Sequence, residues 1–151
     1  MNITIENIPP YCIAYVRRVG QYGAENVQTM EKLKNWARIN NLFNDESILF
    51  GIAHDNPKTT KPENCRYDTC IVISNDYSMK DDSVRQGNIA GGKYAVLKIN
   101  HTAEAVAKAW MEISPELFKL HHQCDEARPI MERYIAKMVQ DHCCEICVPI
   151  F

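Results

Sequence analysis

No stretch of this 151-residue chain stays apolar long enough to span a bilayer, which takes about 18 consecutive positions. The N-terminal segment MNITIENIPP has neither the basic start nor the apolar run of a secretion signal. A basic excess is missing too. Lys and Arg number 17 against 19 Asp and Glu, for a net charge of −2, so direct nucleic-acid binding is not expected. No G-x-S-x-G, H-E-x-x-H or P-loop occurs, which removes the usual short signatures of esterases, zinc peptidases and nucleotide-binding enzymes. The seven cysteines are an odd number. With no export signal, they read as reduced thiols of a cytoplasmic protein rather than a disulfide framework. What remains is ordinary globular composition, 46% hydrophobic and 24% charged. It excludes a disordered tail, a collagen repeat and a coiled coil, and the length suits one domain over residues 1–151.

Patterning along the chain predicts the elements. Residues 2–8 and 11–19 alternate as strands around a break at Pro9–Pro10. Residues 24–40 carry Val27, Met30, Leu33, Trp36 and Ala37 at helical spacing. Strands are expected at 47–54 and 66–74, with turn chemistry at 55–65. Polar residues 75–88 read as a linker or long loop. Gly91–Gly92 opens a strand at 93–99, and Thr102 caps a helix whose stripe is Ala103, Val106, Ala107, Trp110 and Met111. Ser114–Pro115 should end or kink that helix, with Leu117, Phe118 and Leu120 continuing it. Two closing strands are expected at 130–136 and 144–150.

The chain also repeats itself. IPPYCIAYVR at 8–17 resembles IAGGKYAVLK at 89–98, an offset of 81. DTCIVI at 68–73 resembles EICVPI at 145–150, an offset of 77, and Trp36 corresponds to Trp110. The expected fold is therefore α+β: a duplicated β-α-β-β unit, with pseudo-repeats near 2–75 and 88–151. It would form a curved antiparallel sheet with two main helices on one side and a central ligand cleft between the halves.

Four segments carry a family resemblance: HDNP at 54–57 with CRYDTCIVI at 65–73, GGKYAV at 91–96, Trp110 followed by Glu132 in PIMERYI, and EICVPI at 145–150. In that order they resemble the GyrI-like small-molecule-binding domains, also described as bacterial transcription-activator effector-binding domains. Members include stand-alone DNA gyrase inhibitory proteins and the C-terminal domain of the AraC-type regulator Rob. The resemblance implies the duplicated fold, a cavity carboxylate at Glu132, and lipophilic cationic ligands. His54 stands where members often carry an aromatic residue. The match runs from near residue 2 to the C-terminus, so no helix-turn-helix module is expected in this chain.

A carboxylate among rings can attract a cation, to which each aromatic face adds about 0.5–2 kcal/mol. Kept protonated, it can instead act as a general acid. The expected ligand-binding set is Glu132 with Trp110, Tyr134, Tyr67, Phe50, Tyr15 and His54. Several of these rings could equally be plain core. Cys144-x-x-Cys147 with His142 is half a zinc site, but Cys65 and Cys70 have the wrong spacing for the other half. No metal or cofactor is expected. His121–His122 suits a helix C-terminus. Arg66 and Asp68 read as a cleft-framing or surface ion pair. The leading reading is a stand-alone binding domain that senses or sequesters drugs or effectors and acts through a protein partner, a regulator or gyrase, rather than an enzyme. The rivals are a hydrolase of electrophilic small molecules using Glu132, which would need Tyr67, Tyr134 or His54 beside it, and an interaction module using the acidic loop Asp76–Asp82.

Overall fold

The computed structural model describes residues 2–151. Eight strands alternate with three α-helices: β1 (Ile3–Ile8), β2 (Tyr11–Val19), α1 (Glu25–Ile39), β3 (Ile48–Ala53), β4 (Arg66–Ile73), β5 (Arg85–Ile89), β6 (Gly92–Asn100), α2 (Ala103–Lys119), β7 (Met131–Ile135), α3 (Ala136–Gln140) and β8 (Cys143–Pro149). All strands join one antiparallel sheet in the order β1-β6-β8-β7-β3-β4-β2-β5. The repeat is visible as β2-α1-β3-β4 and β6-α2-β7-β8, which meet where β3 pairs with β7.

The connections force the sheet to curl. Only Pro9–Pro10 separates β1 from β2, yet β1 is one edge and β2 lies next to the other. Ala90–Gly91 makes the reverse jump from β5 to β6. The two links pass in contact: a Cβ on Gly91 would stand 2.6 Å from the Pro10 nitrogen and 2.9 Å from the Ile8 carbonyl oxygen. Backbone on both sides cannot give way as a flexible side chain would. Gly91→Ala is therefore expected to cost about 2–3 kcal/mol, read as a lower urea midpoint at unchanged slope.

Alternation along each strand gives the sheet two apolar faces. On one, Leu33, Trp36 and Ala37 of α1 pack over Ala14, Leu49 and Ile71. On the same face Ala109, Ile113 and Leu117 of α2 pack over Ala95, Leu97 and Ile146. Ile8, Ile13, Phe50, Ile52, Tyr94 and Met131 form the other cluster. Its members come from both ends of the sheet, so this face is the inside of the curl. Both main helices thus lie on the outer face.

Three expectations are corrected. The end of the supposed linker, Arg85–Ile89, is edge strand β5, paired to β2. Helix α2 does not break at Ser114–Pro115 but runs on to Lys119. Pro115 is exposed, so water can serve the Met111 carbonyl that the missing N–H leaves free. Arg66 and Asp68 are not partners: Arg66 pairs with Asp55, and Asp68 with Arg17 and His54.

Two buried ion clusters pin the inner face. Asp68, 5% exposed, accepts from Arg17 Nε at 2.8 Å, Arg17 Nη2 at 2.9 Å and His54 Nε2 at 2.7 Å. Burial pushes its pKa up, but the Arg17 and His54 hydrogen bonds outweigh this and hold it below the usual carboxylate range. In the other half, Glu145 accepts from Arg133 Nε at 2.9 Å, and the rest of that guanidinium forks onto Glu6. The 77-residue offset places Asp68 on Glu145. Each half therefore carries a buried acid clamped by arginine at the same position. Among the described residues no helix is long and apolar enough to cross a membrane.

Candidate ligand site

At the β3–β7 junction Gly51 sits opposite Glu132 and Leu49 opposite Tyr134. These four positions face the helices, yet a gap remains between α1 and α2. Helix α3, which follows β7 without a loop, walls its third side. The result is a cleft of about 520 Å³, within the usual range for small-molecule sites. Val27, Met30 and Phe43 line it from the α1 side, and Ala136 and Val139 from α3. Leu49, Tyr67, Glu132 and Tyr134 line the sheet side.

Glu132 is held by two neutral donors. Trp110 Nε1–H donates to Oε1 at 3.0 Å, and the Tyr134 hydroxyl donates to Oε2. No Lys, Arg or His nitrogen of the described residues forms an ion pair with it. Burial, reinforced by the Glu132 charge, raises the phenol pKa values of Tyr67 and Tyr134 well above the ordinary tyrosine range. Both rings therefore stay protonated, available as donors and not as bases. The same two causes push the Cys144 thiol up to about 12, so it behaves as a small apolar residue. His101 packs against Tyr134 with ring centroids 5.3 Å apart and planes tilted by 53°, and joins the lining. The Tyr67 hydroxyl occupies the space a Cβ on Gly51 would fill. Glycine at that position is what lets the ring lie across the floor.

The seven expected residues divide by sheet face. Glu132, Tyr134 and Tyr67 line the cleft, and Trp110 supports Glu132 from behind. Phe50, Tyr15 and His54 lie on the inner face, on the far side of the sheet. Phe50 is wholly buried there. Neighbouring residues on a strand face opposite ways, so Phe50 cannot share a face with Leu49 and Gly51. Sequence reasoning did not single out His101, Phe43, Val139 or Gly51 for this site. Val27 and Met30 were legible as the apolar stripe of α1, but nothing in the stripe says that its first turn overhangs a gap. Val27 stays 65% exposed at the mouth.

Comparison with known proteins agrees with this architecture. The chain is 42% identical over 151 residues to YosT of Bacillus subtilis (strain 168), an SPbeta prophage-derived protein named as a transcriptional regulator, covering 99% of each. The fold superposes on the crystal structure of the EcmrR C-terminal domain with a TM-score of 0.74 at 15% identity, covering 99% of this chain and 97% of that one. It also superposes on SAV2435 bound to tetraphenylphosphonium, with a TM-score of 0.58 at 13% identity, covering 100% of this chain and 94% of the other. Residues 1–150 match the GyrI-like small molecule binding domain, and the chain belongs to that family.

Proposed function

We propose that the cleft binds lipophilic cationic small molecules and that Glu132 selects for their charge. The observation that carries this reading is a carboxylate at the floor of a ring-lined cleft, held by two uncharged donors and paired with no cation, the lysine of the lining, Lys34, being paired with Glu31. Burying an unpaired anion costs free energy, and an incoming cation would offset that cost. At an effective dielectric of about 20, unit charges about 5 Å apart attract by about 3 kcal/mol. Part of this is lost to desolvation of the ligand. The tetraphenylphosphonium seated in the SAV2435 fold and the regulator name of YosT support a sensing or sequestering role.

Tetraphenylphosphonium and the neutral triphenylphosphine oxide make a suitable ligand pair. Trp110 bonds Glu132 directly, so its fluorescence should report occupancy. Saturable quenching by the cation is expected. Glu132→Gln, which keeps an acceptor for Trp110, should weaken cation binding tenfold or more, about 1.4 kcal/mol, and leave the neutral compound unchanged. Equal losses for both compounds, or none, would remove Glu132 from charge recognition.

A further inference from the structure

The inner face of the sheet holds a second cavity, of about 290 Å³, separated from the cleft by the sheet itself. We infer that it is a second ligand site, and that it takes an uncharged molecule carrying a hydrogen-bond acceptor and donor side by side, as an amide does, on a small apolar body.

The apolar part of the wall is Ile13, Ile52, Ile89 and Met131, each 5% exposed or less. Tyr15 lies across β5 because position 87 is glycine: a Cβ there would stand 2.9 Å from the ring. The polar part is the Arg17–Asp68–His54 cluster, with Asn88 on β5, and Arg128, whose Nη1 is buried with no partner among the described residues. The Asp68 side chain is 7% exposed and both its oxygens are taken, Oδ1 by Arg17 Nε and Oδ2 by Arg17 Nη2 and His54 Nε2. An ionised carboxylate only accepts, so His54 Nε2 carries the hydrogen; in the neutral form of the ring Nδ1 is then an acceptor. Arg17 spends Nε and Nη2 on Asp68 and keeps Nη1 in reserve. Each guanidinium of the wall is balanced by a carboxylate, Arg17 by Asp68 and Arg128 by Asp125 at 2.9 Å.

The unspent capacity is therefore N–H donors on Arg17 and Arg128, whose charges are already paired, and, in the neutral ring, the His54 acceptor. A ligand cation would find no free anion, and a ligand anion would find both guanidinium charges already paired. An amide carbonyl can accept from Arg17 while its N–H donates to His54. Selectivity here is thus opposite in kind to that of the cleft, where an uncompensated anion faces the ligand.

Benzamide, benzoate and benzylamine share one ring and differ in head group. They can be titrated at pH 8, where an ordinary imidazole is neutral, into the 15N-labelled full chain while amide resonances are followed. Benzamide is expected to shift Gly87, Asn88 and His54 saturably with a Kd near 1 mM, and the two charged analogues to bind at least about tenfold more weakly. His54→Phe should lower benzamide affinity at least about fivefold. Glu132→Gln should leave benzamide binding unchanged while abolishing the cation preference of the cleft, which separates failure of one site from failure of the other. The wild-type map alone decides the matter if His54→Phe folds poorly. No saturable shift up to about 20 mM benzamide, roughly twentyfold the expected Kd, shifts confined to the cleft, or benzoate binding as tightly as benzamide would each overturn the assignment.

Discussion

Glu145→Ala is expected to cost about 3–5 kcal/mol of folding stability, because it strands a buried guanidinium. Arg133 is 7% exposed, and its Nε has Glu145 as partner. Glu6 remains as a second partner, but its side chain is 41% exposed and water screens that contact. Glu6→Ala should therefore cost only about 1 kcal/mol. Replacing the buried pair together, as Arg133→Met with Glu145→Leu, should recover most of the loss, since apolar side chains of similar volume need no partner. Chemical denaturation of the three variants checks the ranking. Acid should act on the same cluster. The Arg133 hydrogen bond holds the Glu6 carboxyl below its ordinary value of 4.5. Its contribution is present above that value and lost as pH falls through the depressed one. Glu6→Gln should lose less stability than wild type over that acid window.

Phe50→Ala is the second large effect, at about 3–5 kcal/mol. The ring is 0% exposed and sits 6.1 Å, centroid to centroid, from Tyr11 inside the curl. Its removal opens a void between strands that cannot close up, because the same strands also carry the outer core. The position faces away from the cleft, so the folded fraction should bind tetraphenylphosphonium with unchanged affinity. Thermal unfolding combined with the fluorescence titration reads both quantities. A loss of affinity without a loss of stability would place Phe50 in the cleft after all.

The halves of the fold were legible because they repeat. The 81-residue offset correctly equated Pro9–Pro10 with Ala90–Gly91 and the strands on either side. Strand β5 was not legible. RQGNI is a polar edge strand with little apolar alternation, and only its pairing to β2 makes it a strand. Helix α3 spans five residues and has no cap of its own, so it left no helical signature in the sequence. At the site, Glu132, Tyr134 and Tyr67 lie together in the cleft lining, with Trp110 bonded to Glu132. Phe50, Tyr15 and His54 did not join them. Strands β2, β3 and β4 are apolar on both faces, so alternation separates their residues into two sets without saying which set the helices cover. Arg66 and Asp68 show the same limit. Their partners, Asp55 and Arg17, come from a turn and from a strand distant in sequence.

The crossed links also set a timetable for synthesis. Strand β1 is made long before its partner β6, with Ile3 against Leu97 and Ile8 against Gly92. The first strand must therefore wait, unpaired, until Asn100 has been made. Strand β5, just before β6, pairs back onto β2 as soon as it appears. The first half can thus assemble β2, β3, β4 and β5 while its own leading strand hangs free. Contacts this distant in sequence slow folding. A nascent chain paused before β6 would expose the row of backbone donors and acceptors that β1 normally shares, which is the state in which two such chains could pair with each other.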